Sequence, residues 1–351
     1  MSAVPAGAPV DWRALRRVLA VRLDNLGDVV MVTPALRALR AALAPGARLD
    51  LLASPAGATL APLLPDVDEV QVLRAVWQDA SGALPHDPAR ELDLVDRLRG
   101  YDAVVVFTSF AQSPHPLAYA AYLAGVPVRV GVSKEFAGGV LSHWLPAPPD
   151  AQHQSDRALA LLAGVGVPAQ GRHLSLAVPE PARAAAQAVR EEAGVPDAYA
   201  VLAPGASCPS RRYAPDRFAA VARDLGLPVA VVGTEKERPL VQEVVAGSPG
   251  VTDLSGRLDV PALVALISGA RLAVTNNSGG MHLADAVGTP VVALFAGTED
   301  ESQFAPRSGP ARLLRVPTAC APCRAFACPY ALQCLDVAPS AVVAAGRELA
   351  A

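Results

Sequence analysis

The alternation of short apolar strands with helices is the feature that most limits what this chain can fold into. Arg17–Leu23 (RVLAVRL) is a short apolar run, and in Val29–Leu43 large apolar residues recur every three or four positions, as on one face of a helix. Ala103–Phe107 (AVVVF) is typical of a strand buried on both faces. Strands that alternate with helices predict an α/β fold with a parallel sheet and right-handed crossovers.

The same pattern starts again in the second half of the chain. The extended, proline-bearing segment His173–Pro181 is predicted to be a linker, and a helix and new strand–helix pairs follow it. A length of 351 residues also favours two domains over one. We therefore expect two Rossmann-like domains, residues 1–175 and 176–336, followed by a C-terminal helix in residues 337–351. A single doubly wound domain with a long insertion is the structural alternative.

Composition excludes several classes of protein. The net charge of −3 gives no global basic field, so nucleic acid is not an expected partner. No apolar stretch reaches the roughly 18–20 residues that span a bilayer. The small, proline-rich segment Met1–Val10 lacks the basic start and the apolar core of a signal peptide. We expect a cytoplasmic protein with a disordered lead-in, whose cysteines are reduced or metal-bound.

Four turns at the ends of predicted strands carry unusual residues. Ligands of open α/β sheets bind beyond the carboxyl ends of the strands, so these turns are candidate sites. The first is 22–28 (RLDNLGD), where Asp28 lies at the start of a helix. Its carboxylate suits two roles, a cap of backbone N–H groups and a catalytic group. The residues alone favour the cap.

The second turn, 204–213 (PGASCPSRRY), combines a glycine with hydroxyl and guanidinium groups. Gly205 lets the backbone approach a ligand closely, and Ser207 offers a hydroxyl. Arg211 and Arg212 offer fork-shaped donors that match phosphate geometry. This turn therefore predicts a phosphate site.

Two further turns follow strands in the second half. Glu235, in 233–237 (GTEKE), either accepts hydrogen bonds from ribose hydroxyls or favours the positive end of the next helix. In 275–282 (TNNSGGMH) a glycine pair begins a helix and predicts an anion site at the helix N-terminus. His282 suits a hydrogen bond in that site or a place in the core. The sequence has neither GxGxxG nor a Walker lysine motif, which disfavours NAD and P-loop sites.

Together these segments resemble glycosyltransferase family 9, the ADP-heptose:lipopolysaccharide heptosyltransferases. The opening VLAVRLDNLGDVVMVTPALRALR is similar to the family's arginine, Gly-Asp and Thr-Pro-Ala-Leu pattern. PGASCPSRRYAPDRFAAV resembles its donor-phosphate segment, and GTEKE resembles its ribose turn. The most recognisable region is DLSGRLDVPALVALISGARLAVTNNSGGMHLADAVGTPVVALFAGTED. The matches run in order from Val18 to about Cys334, so they are more specific than any single turn.

The resemblance implies a GT-B fold, in which two Rossmann-like domains face each other across a cleft and the C-terminal helix returns to the N-terminal domain. It implies an inverting transfer, with no required cofactor and no catalytic metal, of heptose or a related sugar from a nucleotide-diphospho-sugar, above all ADP-heptose. The acceptor would be a glycan, lipid-linked or of the lipopolysaccharide type, and peripheral contact with the inner membrane surface is a further expectation. Asp28 would be the general base. The resemblance assigns donor binding to Ser207, Arg211, Arg212, Glu235, Asn277, Ser278, Gly279, Gly280, Met281 and His282, and acceptor binding to Arg22, Asp24, Thr108 and Gln112.

Three positions depart from the family pattern. Asn277 stands where aspartate is usual, and Arg211 where lysine is usual. Gln112 stands where heptosyltransferases of the lipopolysaccharide core tend to have a lysine after an Asp-x-Gln-Gly turn. Because Gln112 lies in the acceptor domain, a different glycan or a small natural product is an alternative acceptor. A GT-B epimerase or hydrolase of a nucleotide-sugar, and a nucleotide-sugar binding protein without turnover, are the alternative functions.

Four cysteines fall within 15 residues near the C-terminus, as Cys320-x2-Cys323-x4-Cys328-x5-Cys334. Four thiolates suit a tetrahedral structural zinc site, although the spacing is not the common CxxC…CxxC. Disulfide or redox chemistry and plain reduced thiols are the alternatives.

Overall fold

A computed structural model describes Gly7 and residues 9–79, 82–109, 112–135 and 138–351. Most of the lead-in, residues 1–6 and 8, lies outside the described residues. The chain divides into two compact units, Met1–Arg172 and His173–Ala351. The division falls at the first residue of the segment predicted as a linker.

The first unit contains a six-stranded sheet covered by helices. Its strands are β1 (Arg17–Arg22), β2 (Arg48–Ala53), β3 (Glu69–Val72), β4 (Ala103–Val106), β5 (Val128–Ser133) and β6 (His143–Pro146). Its helices are α1 (Leu26–Met31), α2 (Thr33–Ala42), α3 (Pro55–Ala58), α4 (Pro88–Leu98), α5 (His115–Leu123) and α6 (Gln154–Ala163). All strand pairs are parallel, in the order β3-β2-β1-β4-β5-β6.

The second unit repeats this plan. Its strands are β7 (Ala200–Ala203), β8 (Val229–Val231), β9 (Thr252–Asp253), β10 (Leu272–Asn276), β11 (Val291–Leu294) and β12 (Ala311–Leu314). Its helices are α7 (Glu180–Glu192), α8 (Pro215–Asp224), α9 (Arg238–Ala246), α10 (Val260–Gly269), α11 (Gly279–Ala286), α12 (Glu301–Phe304) and α13 (Pro339–Ala350). The parallel order is β12-β11-β10-β7-β8-β9.

Both sheets have the doubly wound strand order 3-2-1-4-5-6, counted within each unit. The expectation of two Rossmann-like α/β units is therefore confirmed. The central strand of the first sheet shows why the sequence folds this way. Val18, Leu19 and Ala20 of β1 are fully buried, because neighbouring strands and helices on both faces remove successive side chains from water.

The single helix predicted over Val29–Leu43 is broken at Val32, between α1 and α2. Pro34 has no N–H with which to donate to the carbonyl of Val30, four residues earlier. The Thr33 hydroxyl donates to that carbonyl instead, at 2.8 Å. The side chain next to the proline thus satisfies the backbone group that the proline leaves unpaired.

The C-terminal helix α13 belongs to the second unit. Val342 is fully buried in the core of that unit. At the other end of the helix, Arg347 Nη2 donates to the Asp224 carbonyl at 2.6 Å, beside the C-terminus of α8. The expected return of this helix to the N-terminal domain stays a prediction.

Within the described ranges, no helix combines the length and the apolar character needed to cross a bilayer.

Candidate active site

The predicted turns lie where doubly wound sheets bind ligands. The strand order of each sheet reverses between its first and fourth strands, β1 and β4 in the first unit and β7 and β10 in the second. A crevice opens at the carboxyl ends of such a pair. Turn 22–28 begins with the last residue of β1, and the segment holding Thr108 and Gln112 follows β4. In the second unit, turn 204–213 follows β7 and turn 275–282 begins with the last two residues of β10.

In the first unit, Arg22 joins two carboxylates. Its Nε lies 2.8 Å from Asp24 Oδ2, and its Nη2 donates to Asp28 Oδ1 at 3.0 Å. The Arg22 side chain is only 3% exposed, whereas those of Asp24 and Asp28 are 11% and 19% exposed. Burial raises the pKa of the Asp24 carboxyl, although the charge of Arg22 opposes the shift. The structure thus holds a buried cation between two partly accessible carboxylates.

Asp28 also caps its helix. Its Oδ2 accepts the backbone N–H of Asn25 at 3.1 Å, and the two residues form a capping box at the start of α1. The cap that the sequence favoured is therefore present. Each carboxylate oxygen can accept two hydrogen bonds. Oδ1 accepts one from Arg22 and Oδ2 accepts one from Asn25, so the cap leaves Asp28 able to accept a further proton or hydrogen bond.

Gln112 meets Asp24 across 88 positions of sequence. Its Nε2 donates to Asp24 Oδ1, and its Oε1 accepts the Ser109 N–H at 3.1 Å. The structure therefore brings Arg22, Asp24 and Gln112 together, and their role in acceptor binding stays a prediction. Thr108 is half-buried after β4 and is not one of the described residues that line the cavity beside Asp24. Residues 110 and 111 of the same segment lie outside the described residues.

A cavity of about 630 Å³, here called the β1 cavity, opens beside Asp24. Sequence analysis missed three residues on its wall, Trp77, Gln78 and Asp79, which follow β3. An aromatic ring and an acid just beyond a strand end were the available signal. The described lining residues are Leu23, Asp24, Asn25, Ser54, Pro55, Ala56, Trp77, Gln78, Asp79 and Gln112.

In the second unit, two residues from a later segment of the chain hold the Arg211 side chain. Its Nε donates to Thr298 Oγ1 at 3.0 Å, and its Nη2 forms an ion pair with Glu299. Thr298 and Glu299 follow β11 and were also missed by sequence analysis. These contacts fix the direction of the guanidinium, whose side chain stays 24% exposed.

Two further polar residues of this turn, Arg212 and Ser207, behave differently. Arg212 donates from Nε and Nη2 to the Ala206 carbonyl, at 3.2 and 3.0 Å, so it stabilises the turn itself. Ser207 is exposed, with its hydroxyl on the surface of the turn. Arg211 is therefore the better placed of the two arginines for a ligand.

The acidic turn after β8 shows both charge pairing and capping. Glu235 is exposed and pairs with Arg238, with 2.9 Å between Oε1 and Nε, and the hydrogen bond to Arg238 lowers the pKa of Glu235. Glu237 instead forms a capping box with Thr234. Its carboxylate lies against Gly205, where a Cβ atom would collide with it. A side chain at position 205 would therefore displace the Glu237 carboxylate from this place.

The glycine pair after β10 begins α11, as predicted, with Ser278 as N-cap and no side-chain capping bond. Ser278, Gly279 and Gly280 are partly exposed, so the first-turn backbone amides are accessible to an anion. Met281 and His282 are buried. Their side chains therefore pack in the interior, although their backbone still belongs to the first turn.

Two neighbouring asparagines at this turn have structural contacts. Asn277 is 4% exposed, and its Oδ1 accepts the Ala296 N–H at 3.1 Å. Asn276, which sequence analysis did not single out, donates from Nδ2 to the Pro204 carbonyl at 2.7 Å and accepts the Tyr213 N–H at 3.0 Å. Asn276 therefore ties the helix start to the phosphate turn.

The four C-terminal cysteines line one cavity of about 220 Å³. Ser210 and Thr298 line it too, and Ser210 Oγ donates to the Ala325 carbonyl, so this cavity adjoins the phosphate turn. All five cysteines of the chain are free thiols. In the part of the chain that the structure describes, no three His, Cys, Asp or Glu side chains are arranged to hold a metal ion. Structural zinc stays a prediction.

If the four C-terminal cysteines hold zinc, the purified protein should contain near one equivalent of the metal and should melt at a lower temperature in a chelator, because the bound metal would stabilise the fold. Metal analysis and a thiol titration in denaturant should be run on the same sample. A protein without zinc, in which all five cysteines titrate as thiols, would instead support the reduced-thiol alternative.

Comparison with known proteins agrees with this arrangement. The family model of glycosyltransferase family 9 (heptosyltransferase) matches residues 93–333. The chain is 26% identical over 321 residues to lipopolysaccharide heptosyltransferase 2 of Escherichia coli K12, covering 86% of this chain and 88% of that protein. The crystal structure of a family 9 glycosyltransferase from Veillonella parvula superposes with a TM-score of 0.80 at 21% identity, covering 97% and 99% of the two chains. The structure of E. coli ADP-heptose lipopolysaccharide heptosyltransferase II gives 0.75 at 23% identity, covering 95% and 98%.

Two parallel α/β units with this strand order have the GT-B fold of these solved structures. The family match covers more than half of the sequence, so the chain belongs to glycosyltransferase family 9 and is a glycosyltransferase.

Proposed function

We propose that this glycosyltransferase transfers heptose from ADP-heptose to a hydroxyl of a lipopolysaccharide-type glycan, with inversion at the anomeric carbon. The observation that carries the proposal is the Arg22 group, which joins Asp24, on the wall of the β1 cavity, to Asp28 in a chain of family 9. The names of its relatives supply the sugar, the nucleotide and the acceptor: one is a lipopolysaccharide heptosyltransferase, and another an ADP-heptose lipopolysaccharide heptosyltransferase.

On the acceptor side, Asp28 acts as the general base. Inversion needs one in-line displacement, in which the base takes the hydroxyl proton as the acceptor oxygen attacks the anomeric carbon. The bond to Arg22 and the bond to the Asn25 N–H fix the direction of the Asp28 carboxylate. A positioned base loses little entropy when the acceptor arrives.

On the donor side, the second unit stabilises the leaving diphosphate. Negative charge grows on the diphosphate as the glycosidic bond breaks. Arg211, pre-oriented by Thr298 and Glu299, offers a fixed positive charge, and Ser207 offers an exposed hydroxyl. The first turn of α11 adds backbone N–H groups and the positive end of the helix dipole.

Glu235 holds the donor ribose in this proposal. Its carboxylate is exposed and paired with Arg238. Exposed ion pairs of this kind contribute little free energy, so ribose hydroxyls can compete for the carboxylate oxygens. The cytoplasmic location and the contact with the inner membrane surface stay predictions.

ADP is expected to raise the melting temperature of the protein more than UDP or GDP does, because a ligand that binds only the folded state stabilises it. Turnover of ADP-heptose should then release ADP in proportion to glycosylated product. ADP release without an acceptor would favour a hydrolase or epimerase instead. If the protein binds the nucleotide-sugar but releases no ADP with any acceptor, it would be a nucleotide-sugar binding protein.

A further inference from the structure

The wall of the β1 cavity carries carboxylates and uncharged donors. Asp24 and Asp79 supply the carboxylates, and none of the described residues that line the cavity is a lysine or arginine. Arg22 does not line it, since its side chain is 3% exposed behind Asp24. Because Arg22 offsets the charge of Asp24, Asp79 supplies the negative charge that faces a ligand here.

The two carboxylates are held in place by local bonds. Asp79 Oδ2 accepts the Leu84 N–H at 2.7 Å, which closes the loop after β3. Asp24 is bound by Arg22 and by the amide of Gln112. Carboxylates held in this way cannot move away from a negatively charged ligand. The electrostatic repulsion between them and such a ligand therefore stays in full.

Trp77 gives the cavity a flat apolar surface. The ring packs on the core of the first unit and also lines the cavity, so its position is fixed. Sugar rings carry C–H groups that cover aromatic faces, and their hydroxyls bond to side chains such as those of Asn25, Ser54 and Gln78. An aromatic plate with amide and hydroxyl groups around it suits a saccharide.

We propose that the β1 cavity binds the acceptor through a sugar ring that carries no phosphate or carboxylate, and that an ammonium group on that ring strengthens binding. Like charges repel at the cavity wall, whereas an ammonium donates a charge-assisted hydrogen bond to Asp79 and makes a favourable contact with Trp77. This inference rests on the proposed function, because it assigns the acceptor to the first unit.

The test compares three trisaccharides of similar size in the presence of ADP: chitotriose with three N-acetyl groups, its de-N-acetylated form, and trigalacturonate. Binding to the full chain is followed by saturation-transfer NMR and calorimetry. We expect the de-N-acetylated trisaccharide to bind most tightly and to weaken as salt is added, the neutral one to bind more weakly, and trigalacturonate to bind least.

Asp79→Asn should weaken binding of the ammonium-bearing trisaccharide by about threefold to tenfold and leave the neutral one unchanged. Asp93→Asn is the matched control, because Asp93 is exposed on α4, carries the same charge and does not line the cavity. Trp77→Ala should weaken both non-anionic probes, and Trp77→Phe should retain most of the binding while keeping the core contact.

Equal or tighter binding of trigalacturonate would overturn the inference. Failure of both non-anionic probes to bind at roughly 10 mM would overturn it too, since the cavity would then not be a sugar site. ADP binding, measured on the same samples, distinguishes a failure of the acceptor inference from a failure of the proposed function. With ADP bound, only the acceptor inference fails; without ADP binding, the proposed function fails first.

Discussion

Asp28→Asn is expected to slow sugar transfer by about 10²–10⁴-fold, the usual loss when a general base is removed, while the protein stays folded. Asparagine keeps the size of the side chain, and its Oδ1 can still accept the Asn25 N–H. Arg22 keeps Asp24 as a partner, so the buried guanidinium is not left unpaired. What asparagine cannot do is take a proton from the acceptor hydroxyl.

Initial rates with saturating donor and acceptor measure this effect, with calorimetric melting and ADP binding as checks on folding. Asp87→Asn is the matched control, because Asp87 caps α4 in the same unit through the Ala89 N–H and contacts no part of the Arg22 group. It should lose at most about 1 kcal/mol of stability and keep its rate. A folded Asp28→Asn protein with near-normal kcat would return Asp28 to capping alone and make Asp24 the next candidate base.

Arg211→Ala is expected to weaken ADP binding by about 1.5–3 kcal/mol, which is roughly a 10-fold to 150-fold rise in Kd. The lost group is a hydrogen-bond donor with a full charge, already aligned by Thr298. In the parent protein, Arg211 offsets the negative charge of Glu299. The substitution leaves that carboxylate uncompensated, and it then repels the diphosphate. Both effects act in the same direction.

Calorimetric titration with ADP gives the Kd directly. Arg211→Lys should recover part of the affinity, since lysine keeps the charge and loses the fork of donors. Arg223→Ala, on the exposed side of α8, removes the same charge from the same unit and should leave the Kd unchanged. An Arg211→Ala protein that binds ADP as tightly as the parent would take Arg211 out of the donor site.

The sequence predicted the turns of the candidate site well, because buried strands and glycine-rich turns are local signals. It predicted neither the partner of Asp24 nor the partners of Arg211. Gln112 and Thr298 reach these groups across 88 and 87 positions, and only the strand order places them there. Trp77 was missed too, because only the strand order places the loop after β3 beside Asp24.

One error of detail has a physical cause in a side chain. The break at Val32 depends on whether the Thr33 hydroxyl replaces one backbone hydrogen bond, a choice that apolar spacing does not reveal.

The repeated strand order has a consequence for how such enzymes change. Each unit is a complete doubly wound sheet with its own switch point, and the residues proposed for the acceptor and for the donor come from different halves of the chain. Substitutions that alter the specificity for one substrate therefore need not disturb the core of the unit that binds the other substrate. A lineage built on this plan can keep its nucleotide-sugar and exchange acceptors, and hybrid enzymes joined near residue 172 are a direct way to recombine the two specificities.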